Sequence, residues 1–505
     1  MTLHLNNINN NLPSFKDLLK IEIRGASIYT LATFLSQFGS FLIVPLFWQK
    51  LSVSDYGIIA IIDLIGSFLG MFLGLQLDFS ITRFYYEWSS QERKHRLGTL
   101  WMINWLSTIL IGIVSIYLLS LVNNKFFEDV PFFPLIFLGL IYNVIGKLSV
   151  VPYATIRIIN LPILYAFYSL ISFIVQMLLN IYFVIFLDQK LYGLFISNII
   201  SSIICVLIGL AIMLRFAIPC IRLDKLKEPL KFSIHQIPAS AISSITNLLD
   251  RFLLLKFASL EALGIYTISL KFTGLILQLH NALKMSFVPY MVKILTHDQE
   301  WGIKMLTKMR LFYILPLLIF SLAISIYIKD FVYWINKPEY FPVVKWVPWL
   351  IGPTLISTFN IYFAPGLFLS KRSDLTWIPS ILQMLMVIFC GLLLIPPFKM
   401  VGLVISRYAS ALSLFLVSFI LSEKYYPINV KWSKLSLMLS LLILIIIISN
   451  LFVFHLVESI LLNTTLLIVF SFICIVIIIG KPGVYSSISV LLKNKSLIFN
   501  KHKID

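Results

Sequence analysis

Five basic side chains lie inside long apolar stretches of this 505-residue sequence: Lys147, Arg251, Lys271, Lys284 and Arg407. A charged side chain in the middle of a lipid bilayer costs ~3 kcal/mol, so it normally faces a polar cavity or a partner. An arginine guanidinium can form two parallel hydrogen bonds to one anionic group, and a lysine ammonium acts as a point charge. We therefore predict that these residues, together with Arg83 at the end of another apolar stretch, bind an anionic substrate.

The same charges also have a structural explanation. A long basic side chain near the membrane surface can extend to water or donate to helix carbonyls. Arg251 and Lys271 are the leading binding candidates, because arginine suits phosphate oxygens and Lys271 lies deep in its helix.

Three carboxylates accompany the basic residues: Asp63, Asp78 and Asp250. Asp63 and Lys271 lie at similar distances from the turns that precede their helices, so we expect them to pair. Asp63 can alternatively bind a coupling proton or sodium ion, because neighbouring charges set the protonation state of a carboxylate. All three are predicted to serve either in ion coupling or in charge pairing.

The composition indicates the class of protein in which these charges lie. The chain is 59% hydrophobic and 12% charged, which excludes a soluble domain. Apolar runs of at least 18 residues recur along nearly the whole chain, and each can cross a ~30 Å hydrocarbon layer as a helix. We predict an all-α, polytopic membrane protein.

Reading the apolar runs gives about fourteen transmembrane helices, with twelve as the alternative count. The basic residues concentrate in every second connection, so the net charge of +18 reflects orientation rather than nucleic-acid binding. Both termini are predicted to be cytoplasmic. The predicted segments are 1–26 (cytoplasmic), 27–214 (six-helix bundle), 215–232 (cytoplasmic loop), 233–422 (second six-helix bundle), 435–479 (two accessory helices) and 480–505 (cytoplasmic basic tail).

The predicted tenth helix contains Gly352 followed by Pro353. Proline removes a helix donor and kinks the span, so this pair is predicted to be a hinge. Static membrane helices carry such kinks as well.

Cofactor chemistry is not indicated by the sequence. The four cysteines are scattered, and no metal-ligand spacing or glycine-rich phosphate loop is present. We expect no catalytic residues, no metal and no cofactor.

A weak internal repeat relates the two halves. Leu51-Ser-Val-Ser-Asp-Tyr-Gly57 aligns with Ala258-Ser-Leu-Glu-Ala-Leu-Gly264, and a long helix follows each segment. Two six-helix bundles related by an axis along the membrane normal would produce this pattern and could rock about a central cavity.

Several segments occur in the order found in one transporter family. They are Arg24-Gly-Ala-Ser-Ile-Tyr-Thr, the Leu51–Gly57 turn, Leu77-Asp-Phe-Ser-Ile-Thr-Arg-Phe-Tyr-Tyr-Glu87, and Asp250-Arg251 ahead of Gly264-Ile-Tyr266. From Arg24 to about Leu421 the chain resembles the polysaccharide transporter family that includes Wzx-type O-antigen flippases. That family belongs to the multidrug/oligosaccharidyl-lipid/polysaccharide exporter superfamily.

The resemblance implies a flippase in the bacterial cytoplasmic membrane, with an undecaprenyl-pyrophosphate-linked oligosaccharide as its substrate. It implies alternating access, with the last two helices added around a twelve-helix core. Its expected partners are the lipid-linked glycan, the bilayer and possible glycan polymerase or chain-length components, with no nucleic acid.

Other functions compete with this one. A multidrug or cation antiporter of the same superfamily should favour acidic residues, whereas the predicted spans contain more basic ones. A membrane-embedded glycan polymerase or ligase should carry a sizeable outer loop, and the longest predicted one, Lys329 to Lys345, is short. An assembly protein without transport activity is a further alternative.

Overall fold

A computed structural model describes most of the chain. The described residues are 35, 36, 39, 41, 43–126, 130, 132–222, 226–297, 299–366, 375, 377–425, 432–451 and 456–479. They form helices and no strand, so the predicted all-α architecture is confirmed. The predicted cytoplasmic segments 1–26 and 480–505 lie outside the described residues.

Two compact units divide the structure. The first takes in the described residues through Thr267 together with Ile395–Met400, and the second takes in the remainder. The predicted bundle boundaries between 214 and 233 stay a prediction.

The first unit contains nine complete helices among its described residues, and the start of a tenth. They are α1 (Val44–Lys50), α2 (Val53–Leu69), α3 (Leu77–Phe84), α4 (Ser90–Phe126), α5 (Phe137–Lys147), α6 (Val150–Ile158), α7 (Pro162–Asn180), α8 (Lys190–Phe216), α9 (Lys227–Phe257) and the start of α10 (Leu260–His297). Short 3₁₀ or π segments, Leu73–Gln76, Phe132–Ile136 and Ile181–Phe186, join some of them.

The second unit contains the rest of α10 and five further helices in its described part. They are α11 (Gln299–Ile335), α12 (Pro342–Phe363), α13 (Trp377–Tyr425), α14 (Trp432–Leu451) and α15 (Leu456–Ile479), with a 3₁₀ turn at Pro338–Tyr340. Ile395–Met400 of α13 belongs to the first unit.

Membrane spans are abundant in the described part of the chain. Nine of its helices are long and apolar enough to cross a bilayer, or ten if the bent pair α1 and α2 forms one span. Helix α13 has 49 residues and a non-helical backbone at Lys399, next to Pro396 and Pro397. Because a helix rises 1.5 Å per residue, it is long enough for two spans. The chain is thus a multi-pass membrane protein, and the count of fourteen stays a prediction.

Helix α2 begins with a capping box. The Asp55 N–H donates to Oγ of Ser52 at 3.2 Å, and the Ser52 N–H donates to Oδ2 of Asp55 at 2.8 Å. These bonds satisfy donors that the first helical turn would otherwise leave open. The sequence segment that identified the repeat is therefore the start of a helix, and its own side chains stabilise that start.

The two repeat segments contact each other reciprocally within the first unit. A Cβ on Gly57 would lie 2.4 Å from the Leu260 carbonyl oxygen, and one on Gly264 would lie 2.0 Å from the Val53 carbonyl oxygen. In the alignment Gly57 matches Gly264 and Val53 matches Leu260, so each contact is the symmetry mate of the other. Such exchange is what a two-fold axis produces, and it supports the internal repeat.

A buried polar network holds α14 and α15 against α11. Asp330 accepts hydrogen bonds from the Ser459 hydroxyl at 2.6 Å and from the Asn463 amide at 2.8 Å. Asn463 also donates to the Ile326 carbonyl at 3.2 Å and accepts from Ser449 at 2.7 Å. The two helices predicted to be accessory are thus attached by specific hydrogen bonds as well as by apolar packing.

Candidate functional site

Residues 57–80 form an apolar run long enough to be one predicted span, but they are not one continuous helix. Helix α2 ends at Leu69, and Gly74, Leu75 and Gln76 have φ values of 71°, 52° and 54° before α3 begins. Left-handed residues interrupt the helical hydrogen bonds and release backbone carbonyls. Broken helices occur in transporters where the backbone lines a polar site.

Side-chain amides satisfy the carbonyls at this break. Gln76 Nε2 donates to the carbonyls of Gly70 and Met71 at 3.3 Å and 3.1 Å. Asn104 Nδ2 donates to the Gly74 carbonyl at 3.4 Å, and a Cβ on Gly74 would lie 2.2 Å from that nitrogen. The break is therefore built into the fold. Its sequence signal was the spacing of Gly66, Gly70 and Gly74 ahead of an intramembrane glutamine.

Three charged side chains lie next to the break. Asp78, on α3, lies within electrostatic range of Lys147 at the end of α5 and of Arg157 on α6. A Cβ on Gly70 would lie 3.4 Å from Lys147 Nζ, so the ammonium reaches the broken segment. The structure thus brings the predicted residues Asp78 and Lys147 together and adds Arg157, which the sequence had suggested was in a connection.

Asp63 begins a row of polar groups inside the first unit. Its charge acts on Tyr142 of α5, and the Gln176 side chain of α7 bonds the tyrosine hydroxyl. Gln176 Nε2 in turn donates to Oδ1 of Asn198 on α8 at 3.0 Å. Four helices thus contribute to one polar row, in which Asp63 supplies a carboxylate and the other three side chains are uncharged. Amides inside apolar runs were the sequence signal for this row.

The other predicted residues of the first unit have different surroundings. Asp250 is fully buried and accepts a hydrogen bond from the Tyr266 hydroxyl at 3.3 Å, which joins α9 to α10. Arg251, the next residue, is half-buried. Arg83 is exposed at the end of α3 and forms an ion pair with Glu87 one turn later.

Lys271 and Lys284 are exposed on α10 in the second unit. Lys284 lies within electrostatic range of His280. His280 Nδ1 lies 3.4 Å from the Tyr362 hydroxyl, and the Tyr362 ring packs against Phe287 with centroids 4.8 Å apart. These contacts give His280 a structural role.

Arg310 is a buried cation that the sequence pattern placed at the edge of a cytoplasmic connection. It lies in α11 with 1% of its surface exposed, and its guanidinium carbon lies 5.4 Å above the Phe363 ring. Glu423 of α13 acts on its charge. Arg310 thus connects three helices of the second unit through charge and ring stacking.

The predicted hinge residues have an identified packing role. A Cβ on Gly352 would lie 1.9 Å from the hydroxyl of Tyr408, which follows the half-buried Arg407 on α13. Gly352 is therefore needed for close contact between α12 and α13. Pro353 is buried inside the continuous helix α12. Hinge motion at these residues stays a prediction.

The family comparison matches residues 50–334, more than half of the chain, to the model described as "Polysaccharide biosynthesis protein". The comparison with curated proteins gave no significant match.

Solved transporter structures share the fold at low sequence identity. The lipid II flippase MurJ in its inward closed conformation has a TM-score of 0.67 and 16% identity, covering 88% of this chain and 98% of that one. The MATE multidrug transporter DinF-BH has a TM-score of 0.56 and 15% identity, covering 83% and 98%. A MATE transporter in the straight conformation has a TM-score of 0.53 and 13% identity, covering 80% and 96%.

The fold is thus that of the flippases and multidrug transporters in the exporter superfamily that the sequence resembled. These neighbours are transporters and flippases rather than enzymes. Because the family model matches more than half of the chain, this chain belongs to the polysaccharide biosynthesis protein family.

Proposed function

We propose that this protein is a flippase that moves an undecaprenyl-pyrophosphate-linked oligosaccharide across the bacterial cytoplasmic membrane by alternating access. The glycan would be an O-antigen or related surface-polysaccharide repeat unit. The family supports polysaccharide biosynthesis, and the fold, which a lipid II flippase shares, supports transport of a lipid-linked glycan.

The excess of basic residues within membrane helices is the observation that carries the proposal. Lys147 beside the helix break, half-buried Arg251 and exposed Lys271 lie within long apolar stretches of the sequence. A pyrophosphate has several anionic oxygens, and basic side chains in a low-dielectric region attract it strongly. Arg407, Lys284 and Arg83 belong to the same proposed binding set.

Coupling is proposed to involve the carboxylates Asp63 and Asp78. Asp63 ends a row of uncharged polar groups, and Asp78 faces two cations. A carboxylate in either place can change protonation as neighbouring charges move. Asp250 is proposed to pair charges and to position Arg251 beside it.

Export of the glycan tests the binding assignment. Cells lacking the native gene are supplied with the wild type, Arg251→Ala or Lys271→Ala, and surface polysaccharide is measured at equal protein level. Each substitution should lower export at least about tenfold, since one lost charged hydrogen bond corresponds to about 2 kcal/mol.

A matched control removes a lysine outside the predicted spans. Lys345 is exposed, and its Nζ lies 5.0 Å from the centroid of the Trp346 ring. Lys345→Ala should leave export unchanged. Normal export by both Arg251→Ala and Lys271→Ala would refute the proposed binding set.

A multidrug or cation antiporter is the second candidate, favoured by Asp63 within its polar row. A cationic substrate would be attracted by that carboxylate and repelled by the basic residues. Efflux of a lipophilic cationic dye from cells making the protein, with no change in surface polysaccharide, would favour the antiporter over the flippase.

A further inference from the structure

A cavity of about 410 Å³ opens at one end of the first unit, beside the turn between α1 and α2. This volume lies within the range of small-molecule sites. None of the residues predicted to bind the substrate lines this cavity. Its lining consists of Asp55, Ile58, Leu135, Asp188, Gln189, Lys190, Leu191 and Tyr192.

The loop that forms one wall has an unusual backbone. Asp188 and Lys190 have φ values of 52° and 49°, a left-handed conformation that residues with side chains rarely adopt. The Gln189 N–H donates to the Phe183 carbonyl at 3.1 Å, which holds the loop in place. Unfavourable backbone conformations of this kind concentrate at ligand-binding sites, where the surrounding structure maintains them.

Both carboxylates of the cavity are held in position. Oδ1 of Asp188 lies 3.0 Å from Lys50 Nζ, and Oδ2 of Asp55 accepts the Ser52 N–H within the capping box. Each carboxylate has two oxygens with two acceptor sites apiece, so both retain capacity for further hydrogen bonds. Gln189 adds a donor and an acceptor, and Lys190 adds donors.

The net charge of this cavity differs from that of the proposed pyrophosphate site. The two carboxylates are balanced by Lys50 and Lys190, so the local net charge is zero, which does not select a polyanion. No group of three His, Cys, Asp or Glu side chains suited to a metal ion occurs among the described residues. The arrangement instead suits a neutral ligand with many hydroxyl groups.

The remaining lining suits the faces of a sugar ring. Tyr192 is 46% exposed, which leaves its ring available, and Ile58, Leu135 and Leu191 add apolar surface. A pyranose has hydroxyls at its edge and C–H groups on its faces, so it can use polar groups and an aromatic ring together.

We propose that this cavity binds sugar units of the transported glycan at the extracytoplasmic end of the first unit. The inference rests on the proposed function, and it adds a glycan subsite separate from the residues proposed for pyrophosphate. The end assignment follows from the charge distribution. Lys50 and Lys190 lie in connections between the predicted spans that have few basic residues, and such connections are predicted to be extracytoplasmic.

Direct binding tests the subsite. The probe is the oligosaccharide released by mild acid from the host's lipid-linked precursor, titrated into the purified full-length protein by calorimetry. Tyr192→Ala and Asp188→Asn should each weaken binding about tenfold, because one loses the ring and the other a charged acceptor. Inorganic pyrophosphate should not displace the oligosaccharide.

A matched variant and an export assay control the experiment. Tyr182→Ala removes another exposed tyrosine, on the Ile181–Phe186 segment outside the cavity lining, and should bind like the wild type. Melting temperatures of all variants establish that they are folded.

Two results would overturn the subsite: wild-type affinity in both cavity variants, or no oligosaccharide binding by a wild type that exports glycan. Displacement by pyrophosphate would overturn the charge argument. If the wild type restores no export at all, the proposed function itself fails.

Discussion

Helices α2 and α10 start alike and then diverge. Both begin after aligned turns, and Gly57 and Gly264 contact the opposite helix start in the same way. Helix α2 ends after 17 residues, whereas α10 runs for 38. The two copies therefore share the packing contact at the helix start but differ in the part of the helix that follows it.

The divergence lies in the residues that follow. Where the first copy has Gly70, Gly74 and Gln76, the second has Leu277, Asn281 and Leu283. Glycine permits the left-handed backbone, and the glutamine side chain donates hydrogen bonds to the released carbonyls. Only the first copy therefore has residues that stabilise a broken helix. The polar groups near Asp78 thus accompany a local change of backbone, and the second copy presents its charges on an uninterrupted helix.

The largest expected effect comes from the contact that the copies share. Gly264→Ala places a methyl group 2.0 Å from the Val53 carbonyl oxygen, so the two helix starts must move apart. Overpacking of this kind costs about 3 kcal/mol. The melting temperature of the purified protein should fall clearly.

Gly274 on the same helix supplies the control, since nothing lies within 4 Å of its Cβ position. Gly274→Ala should keep or slightly raise stability, because alanine favours a helix over glycine. Equal melting temperatures for the two variants would contradict the shared contact.

The charges at the break should give the second-largest effect. Asp78→Asn removes the carboxylate charge on which Lys147 and Arg157 both act. We expect a loss of about 2 kcal/mol in stability, below the value for a fully buried pair because Asp78 is half-buried. Glycan export should fall as well.

Asp78→Glu keeps the charge and should recover most of both properties. Melting curves and surface polysaccharide are measured on the same variants. An Asp78→Asn protein with wild-type stability and export would show that the three charges do not act together.

The break itself should respond to its capping side chain. Gln76→Leu, which copies Leu283 of the unbroken helix, removes the donor to the Gly70 and Met71 carbonyls. An unsatisfied carbonyl costs about 1–3 kcal/mol, and water reaching the site would reduce the loss. We expect a destabilisation of about 1.5 kcal/mol.

Gln278→Leu is the matched control, because that glutamine lies within the continuous helix α10. It should have a smaller effect on the melting temperature. If both glutamine variants behave alike, Gln76 does not maintain the break.

Sequence patterns predicted the architecture better than the site. Apolar runs report span length directly, so the all-α membrane fold and the repeat segment at Gly57 and Gly264 were accessible. The break after Leu69 was missed because the spans were assigned from hydropathy, which does not report φ and does not register the glycine spacing ahead of Gln76. Exposed Arg157 and buried Arg310 were missed because their closeness to a carboxylate depends on neighbouring helices, which sequence spacing does not reveal.

Asp63 and Lys271 should give the smallest effect on folding, and they test the predicted pairing between the copies. Both side chains are exposed, so Asp63→Asn and Lys271→Gln should each change stability by no more than about 0.5 kcal/mol. Export should fall in each single variant. If the two residues act as a pair, the double variant should export as much glycan as the single variant with the lower export. The first substitution already disrupts the pair, so the second should cause no further loss. Independent roles instead predict that the two losses multiply, as expected if Asp63 serves in coupling and Lys271 in binding the anion.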